Sequence, residues 1–229
     1  MIAFVKQVFG AEETFRAGSA QGSMHAEVRI GDSMMMIGGG AAYTGPTKPA
    51  TIRVYVENSD EAYRRALDAG AVSTLEMNDN LGERFGCVQD RFGNQWIIST
   101  PLGPHYLPGY QRSVTPFIYT QDAARFIDFL KQAFGGEELL RVDLPESKVK
   151  HAVIRLGDSV VATGDLREES VPSLPTMLYL YVPDVDAVYD QAIRAGAQSI
   201  HPPTDQPYGD RNGGVTDAWG NQWYIATPL

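Results

Sequence analysis

A single cysteine, Cys87, stands in the whole chain, so no intramolecular disulfide can staple the fold, and a reducing compartment fits that usage. It sits in the apolar run Phe85-Gly86-Cys87-Val88, where a buried, inert thiol is the expected state. Long hydrophobic runs are lacking too. No stretch approaches the roughly 18 apolar residues that a membrane-crossing helix needs, and no signal peptide opens the chain. A cytoplasmic protein without membrane contact is expected. Positive charge is also scarce: 19 Lys and Arg face 28 Asp and Glu, a formal net charge of −9. That balance argues against nucleic acid or an anionic membrane surface as a partner. It is compatible with a cationic ligand, although solubility is the default reading of an acidic surface.

What the chain does contain is a repeat. Residues 4–13, "FVKQVFGAEE", match 129–138, "FLKQAFGGEE", at an offset of 125. "MHAEVRIGDS" (24–33) matches "KHAVIRLGDS" (150–159) at 126, and "FGNQWIISTPL" (92–102) matches "WGNQWYIATPL" (219–229) at 127. An offset that drifts by single residues marks two copies of one unit with small loop changes. At about 110 residues each, the copies are domain-sized rather than solenoid-sized. The expected domains are 1–103 and 112–229. Met1 aligns with Phe126, inside a helix of the second copy, so the first copy lacks the counterpart of residues 115–125. An uncapped start within an amphipathic helix is unfavourable, so either an upstream start, the leading expectation, or another segment or chain supplies the missing strand.

Each copy divides again. In the second, "TPFIYT" (115–120) reads as a strand. Asp122 is placed to cap a helix whose Phe126, Ile127, Leu130 and Phe134 form one apolar stripe, ended by Gly135. Three short strands follow, and the pattern restarts at "MLYLYV" (177–182), with a helix from near Asp184 to Gly196 and three closing strands. Each half reads β-α-β-β-β. In the repeated closing phrase, Gly93 and Gly220 are expected to supply a positive φ to a tight turn, and Trp96 and Trp223 to pack beneath the helices.

The paired halves, together with "HAEVRIGDS", "GDRNGGVTDAWGNQW" and the "AGA" at the end of the second helix, resemble the vicinal oxygen chelate superfamily. The nearest likeness is to its glyoxalase/bleomycin-resistance and PhnB-like members. The resemblance covers nearly the whole chain. It implies an α+β fold of two tandem glyoxalase-like domains, each built from paired βαβββ modules forming a curled sheet around a cleft. Function does not follow from it, since the superfamily hosts isomerases, dioxygenases, thiol transferases and binding proteins. Its catalytic members hold a divalent metal with His or Glu from the first and last strands of each half. The matching positions here are Thr115, Ala162, Met177 and Tyr224 in the second copy, and Met36, Thr51 and Ile97 in the first. None is a His or a carboxylate, whereas a transition-metal site needs several such ligands. No metal and no cofactor is therefore expected, which sets aside isomerisation and ring cleavage of the metal-dependent kind.

Strand alternation then nominates what lines the clefts. In the second copy, Met177, Tyr179, Tyr181, Gln222 and Tyr224 share a side, and Phe117 and Tyr119 are expected to join them as an aromatic wall. In the first, Arg53, Tyr55 and Gln95 are expected beside Thr51 and Ile97. Such a wall suits a planar, partly apolar ligand, with core filling as the competing reading. His25, beside Glu27 and Arg29, and His151 are the candidates for a catalytic base, against a structural role at a strand margin. The acid-Arg pairs Glu83-Arg84 and Asp210-Arg211, between glycines, are read as loop ion pairs. The leading expectation is a metal-independent small-molecule binding protein, compatible with a homodimer. The alternative is a metal-independent lyase or isomerase using a cleft His as base.

Overall fold

The computed structural model describes residues 1–41, 48–80, 82–103, 109, 111–166 and 174–229. These residues form four helices and fifteen strands, a mixed α+β architecture dominated by sheet. The chain divides into two compact units, Met1–Thr115 and Pro116–Leu229.

The first unit opens with α1 (Ile2–Phe9), followed by β1 (Glu12–Gly18), β2 (Ser23–Ile30) and β3 (Ser33–Gly40), which pair antiparallel in that order. Its second half runs β4 (Thr51–Tyr55), α2 (Ser59–Asp68), β5 (Val72–Asn80), β6 (Glu83–Gln89) and β7 (Gln95–Pro101). Here β5, β6 and β7 are antiparallel, and β4 lies parallel to β7. In the second unit β8 (Val114–Thr120), which starts at the boundary, leads into α3 (Ala123–Phe134), β9 (Glu137–Asp143), β10 (Val149–Leu156) and β11 (Ser159–Asp165), with β8 parallel to β11. The last half is β12 (Met177–Tyr181), α4 (Val185–Arg194), β13 (Gln198–Asp205), β14 (Asp210–Thr216) and β15 (Gln222–Pro228), with β12 parallel to β15.

Helix boundaries follow local chemistry. The Asp122 carboxylate accepts the Arg125 N–H at 3.1 Å, and the Asp184 carboxylate accepts the Ala187 N–H at 3.0 Å. Each satisfies one of the orphan donors of a helix N-terminus. Gly135 closes α3 in the left-handed region, as Gly10 closes α1. The shorter α1, eight residues against twelve, has Met1 at its N-cap and no side-chain cap. The β3 strand ends its three-stranded sheet, on the side where β11 in the second unit carries β8.

Within a unit the two halves join through their helices rather than through a shared sheet. The apolar stripes of α3 and α4 face one another, and the inner faces of both sheets close over them. Phe126, Ile127, Leu130, Ile154, Trp223 and Ile225 are fully buried in that core. In the first unit Val5, Val8, Val28, Val54, Trp96 and Ile98 play the same part. Equivalent tethers stitch the helix pairs: Arg65 Nε donates to the Val8 carbonyl, and Gln191 Nε2 to the Gln132 carbonyl.

Candidate functional site

The repeated phrase before the last strand of each unit is a carboxylate-centred knot. Asp217 accepts the Trp219 and Asn221 N–H groups at 3.0 and 2.9 Å, the Asn221 amide at 2.9 Å and the Trp223 indole at 2.9 Å. Asp90 does the same for Phe92, Asn94 and Trp96. The other end of each Asn amide reaches the entry to the neighbouring strand: Asn94 Oδ1 accepts the Ala50 N–H, and Asn221 Oδ1 the Thr176 N–H. Gly93 and Gly220, at φ 88° and 87°, make the turn that lets one carboxylate collect these donors. With Trp96 and Trp223 locked on the helix side, β7 and β15 must show Gln95, Ile97, Gln222 and Tyr224 on the opposite face.

On that face of the second unit the rings gather around one acid. Tyr179 Oη donates to Asp210 Oδ2 at 2.8 Å and Tyr181 Oη to the same oxygen at 3.3 Å. Asn212 Nδ2 donates to Tyr208 Oη at 2.7 Å and to Tyr179 Oη at 3.1 Å. Tyr179 and Tyr224, paired across β12 and β15, hold their rings nearly parallel, with an interplanar angle of 10° and centroids 6.5 Å apart. Tyr181 sits 5.1 Å from Tyr179, and His201 6.1 Å from Tyr224. A Cβ on Gly214 would meet the His201 ring at 3.1 Å, so the bare glycine makes room for it. Tyr181 and Tyr208 are 53% and 64% exposed, which leaves the cluster open to solvent. Burial holds the Tyr179 phenol well above the ordinary tyrosine value, so it stays protonated and neutral.

The first unit carries an altered copy. Glu83 holds the place of Asp210, Arg53 that of Tyr179 and Tyr55 that of Tyr181. Arg53 Nη1 donates to Glu83 Oε2 at 2.6 Å and Tyr55 Oη to Glu83 Oε1 at 3.0 Å. This cluster is closed, with the Arg53 and Glu83 side chains only 12% and 17% exposed. Burial pushes the Tyr55 phenol up to about 12. Gln95 accepts the Thr74 hydroxyl at 3.1 Å. A depression of about 340 Å³ in this unit is lined by Phe9, Ile30, Tyr55, Asn58, Glu61 and Arg65. Of its charged groups, Glu61 and Arg65 already pair at 2.8 Å.

The nominated residues thus fall into separate groups. Phe117 and Tyr119, expected beside Met177, belong to the other sheet of their unit, where Phe117 packs 4.4 Å from Tyr119 and 5.5 Å from His151. Helix packing separates the two sheets, because Ile118 between those rings enters the shared core as Trp223 and Ile225 do. Met177 lies at the exposed margin of β12. His25 and Glu27 approach to 3.5 Å on the surface, near Phe15. The acid-Arg neighbours do not pair with each other, since alternation sends them to opposite faces. Arg84 binds Asp60 and Asp79, and Arg211 binds Asp186 and Asp205, while Glu83 and Asp210 turn to the tyrosines. Asn212, Tyr208 and His201 were not singled out from sequence. Strand parity outward from Asp210 and Tyr224 is the signal that could have found them.

A model of the Glyoxalase/Bleomycin resistance protein/Dioxygenase superfamily matches residues 110–225. The chain belongs to this superfamily. It is 34% identical over 158 residues to an uncharacterized protein of Mycobacterium tuberculosis, an alignment covering 65% of this chain and 87% of that one. It is 34% identical over 127 residues to an uncharacterized protein of Mycobacterium bovis, covering 51% and 84%. Its fold matches glyoxalase I from Zea mays with a TM-score of 0.73 over 99% of this chain and 86% of that one, at 14% identity.

The donors that a superfamily metal would need do not fit. Within the second unit Ala162 and Met177/Tyr224 belong to different sheets, and they offer a methyl, a thioether and a phenol. Thr115 spends its buried hydroxyl on Gln111 and the Arg112 carbonyl. In the first unit Thr51 and Ile97 are buried, and Ile97 has no donor atom. Among the described residues no three His, Cys, Asp or Glu side chains converge. Nor is any helix among them long and apolar enough to cross a membrane.

Proposed function

We propose that this superfamily member is a metal-independent, cytoplasmic small-molecule binding protein that holds its ligand against the aromatic face of β12, β14 and β15. One observation carries the reading. Tyr179 and Tyr224, side by side on paired strands, hold their rings nearly parallel on a face with solvent access, with fixed polar groups, Asp210 and Asn212, at the edge of Tyr179. Ordinary core filling would bury those rings, and Trp223 and Ile225 already fill the core on the other side of β15. A planar ligand gains by stacking there, worth about 0.5–1.5 kcal/mol per ring pair beyond area burial. The hydroxyl and amide positions orient it. His25 and His151 lie outside this cluster, so binding there uses neither as a base.

The test is a thermal-shift screen of the full chain with planar heteroaromatic compounds and, separately, with divalent metals. Stabilisation by a planar compound should vanish in Tyr224→Ala and survive in His151→Ala. Stabilisation saturating at one divalent metal per unit would overturn metal independence. Turnover lost in His151→Ala would favour the lyase or isomerase alternative.

A further inference from the structure

The ligand's charge can be read from the comparison of the two copies. Glu83 and Asp210 each open a strand, β6 and β14, and each sits opposite the proline that ends the neighbouring strand, Pro101 or Pro228. In the first unit the acid is neutralised from within, by Arg53 at 2.6 Å. In the second unit the residue in Arg53's register, opposite Tyr224 as Arg53 is opposite Ile97, is Tyr179. A phenol supplies a hydrogen bond but no positive charge. Asp210 therefore meets tyrosine hydroxyls, those of Tyr179 and Tyr181, where Glu83 meets a cation. No cation pairs with it among the described residues, and the adjacent Arg211 is committed to Asp186 and Asp205. Both tyrosine hydroxyls use the same oxygen, Oδ2, while Oδ1 accepts no hydrogen bond among the described residues.

We propose that the ligand of this face is an organic cation with a planar ring system, its positive group taking at Asp210 the place that Arg53 fills at Glu83. This rests on the binding reading above. An ammonium or guanidinium group would meet the unused Oδ1 and lie against tyrosine faces, where the ring quadrupoles attract positive charge. The net charge of −9 adds a long-range pull of the same sign. A metal ion is a poor occupant, because no three His, Cys, Asp or Glu side chains converge among the described residues.

The experiment is isothermal titration of the full chain at neutral pH with three matched probes: 1-methylquinolinium, neutral quinoline and the anion quinoline-2-carboxylate. The cation should bind roughly tenfold or more tighter than quinoline, and the anion should bind weakest. Asp210→Asn keeps an acceptor for Tyr179 and should erase the preference, bringing the affinity for the cation down to that for quinoline. Tyr179→Arg installs the internal cation of the first unit and should erase it with the carboxylate still present, which guards against a folding defect in either variant alone. Equal affinity for cation and neutral probe, or a preference that survives both substitutions, would overturn the charge assignment and leave the binding face standing. Absence of binding by all three probes would overturn both.

Discussion

Replacing Asp217 by alanine should cost the second unit about 3–5 kcal/mol. The carboxylate serves four donors, and two of them, the Trp223 indole and the Asn221 amide, belong to residues 1% exposed. Each buried donor left unpaired costs about 1–3 kcal/mol, whereas the Trp219 and Asn221 backbone N–H groups in the turn can be rehydrated more cheaply. The sum is large against the 5–15 kcal/mol typical of a whole domain. Asp217→Asn should recover little. Its amide brings two N–H donors of its own, so in either orientation a donor is aimed at a donor of the turn. Urea unfolding followed by tryptophan fluorescence and circular dichroism would measure the loss as a lowered midpoint at unchanged slope. If the units melt in separate transitions, only one should move, and Asp90→Ala should move the other. A loss below about 1 kcal/mol in Asp217→Ala, or full recovery in Asp217→Asn, would show that the knot is not what secures the last strand.

Cys87 is 2% exposed and burial pushes its thiol up to about 11, so iodoacetamide should leave it unlabelled in native buffer and label it fully in urea, as read by mass spectrometry. Rapid native labelling would show that β6 opens. The raised Tyr55 phenol makes a signed prediction: its contribution is complete below the unfolded value near 10 and is lost as pH climbs to about 12. That loss is about 3 kcal/mol, and Tyr55→Phe should flatten it in a series of urea midpoints across the alkaline range. Parallel curves for the two proteins would refute the assignment.

Much of the architecture was legible because it rests on local chemistry and on repetition. The caps Asp122 and Asp184, the left-handed Gly135, and the glycine turns before Trp96 and Trp223 each follow from a residue whose physical preference is strong within a few positions. Strand parity likewise separates Trp223 from Tyr224.

Grouping was different. Parity says which side of a strand a residue takes, but not which sheet that strand joins. Phe117 and Tyr119 were therefore placed beside Met177, although β8 pairs with β11 and the helices of the unit keep that sheet apart from β12. Similarly, Asp210 next to Arg211 reads as an ion pair along the chain, while the pleat turns one toward tyrosines and the other toward α4. The sequence by itself determined the duplication, the elements and their inward faces, because those depend on spacing along one chain. Only the tertiary structure decided that an acid and two tyrosine hydroxyls meet in the second unit where an acid and an arginine meet in the first, because that contact depends on which strands the backbone hydrogen bonds bring side by side.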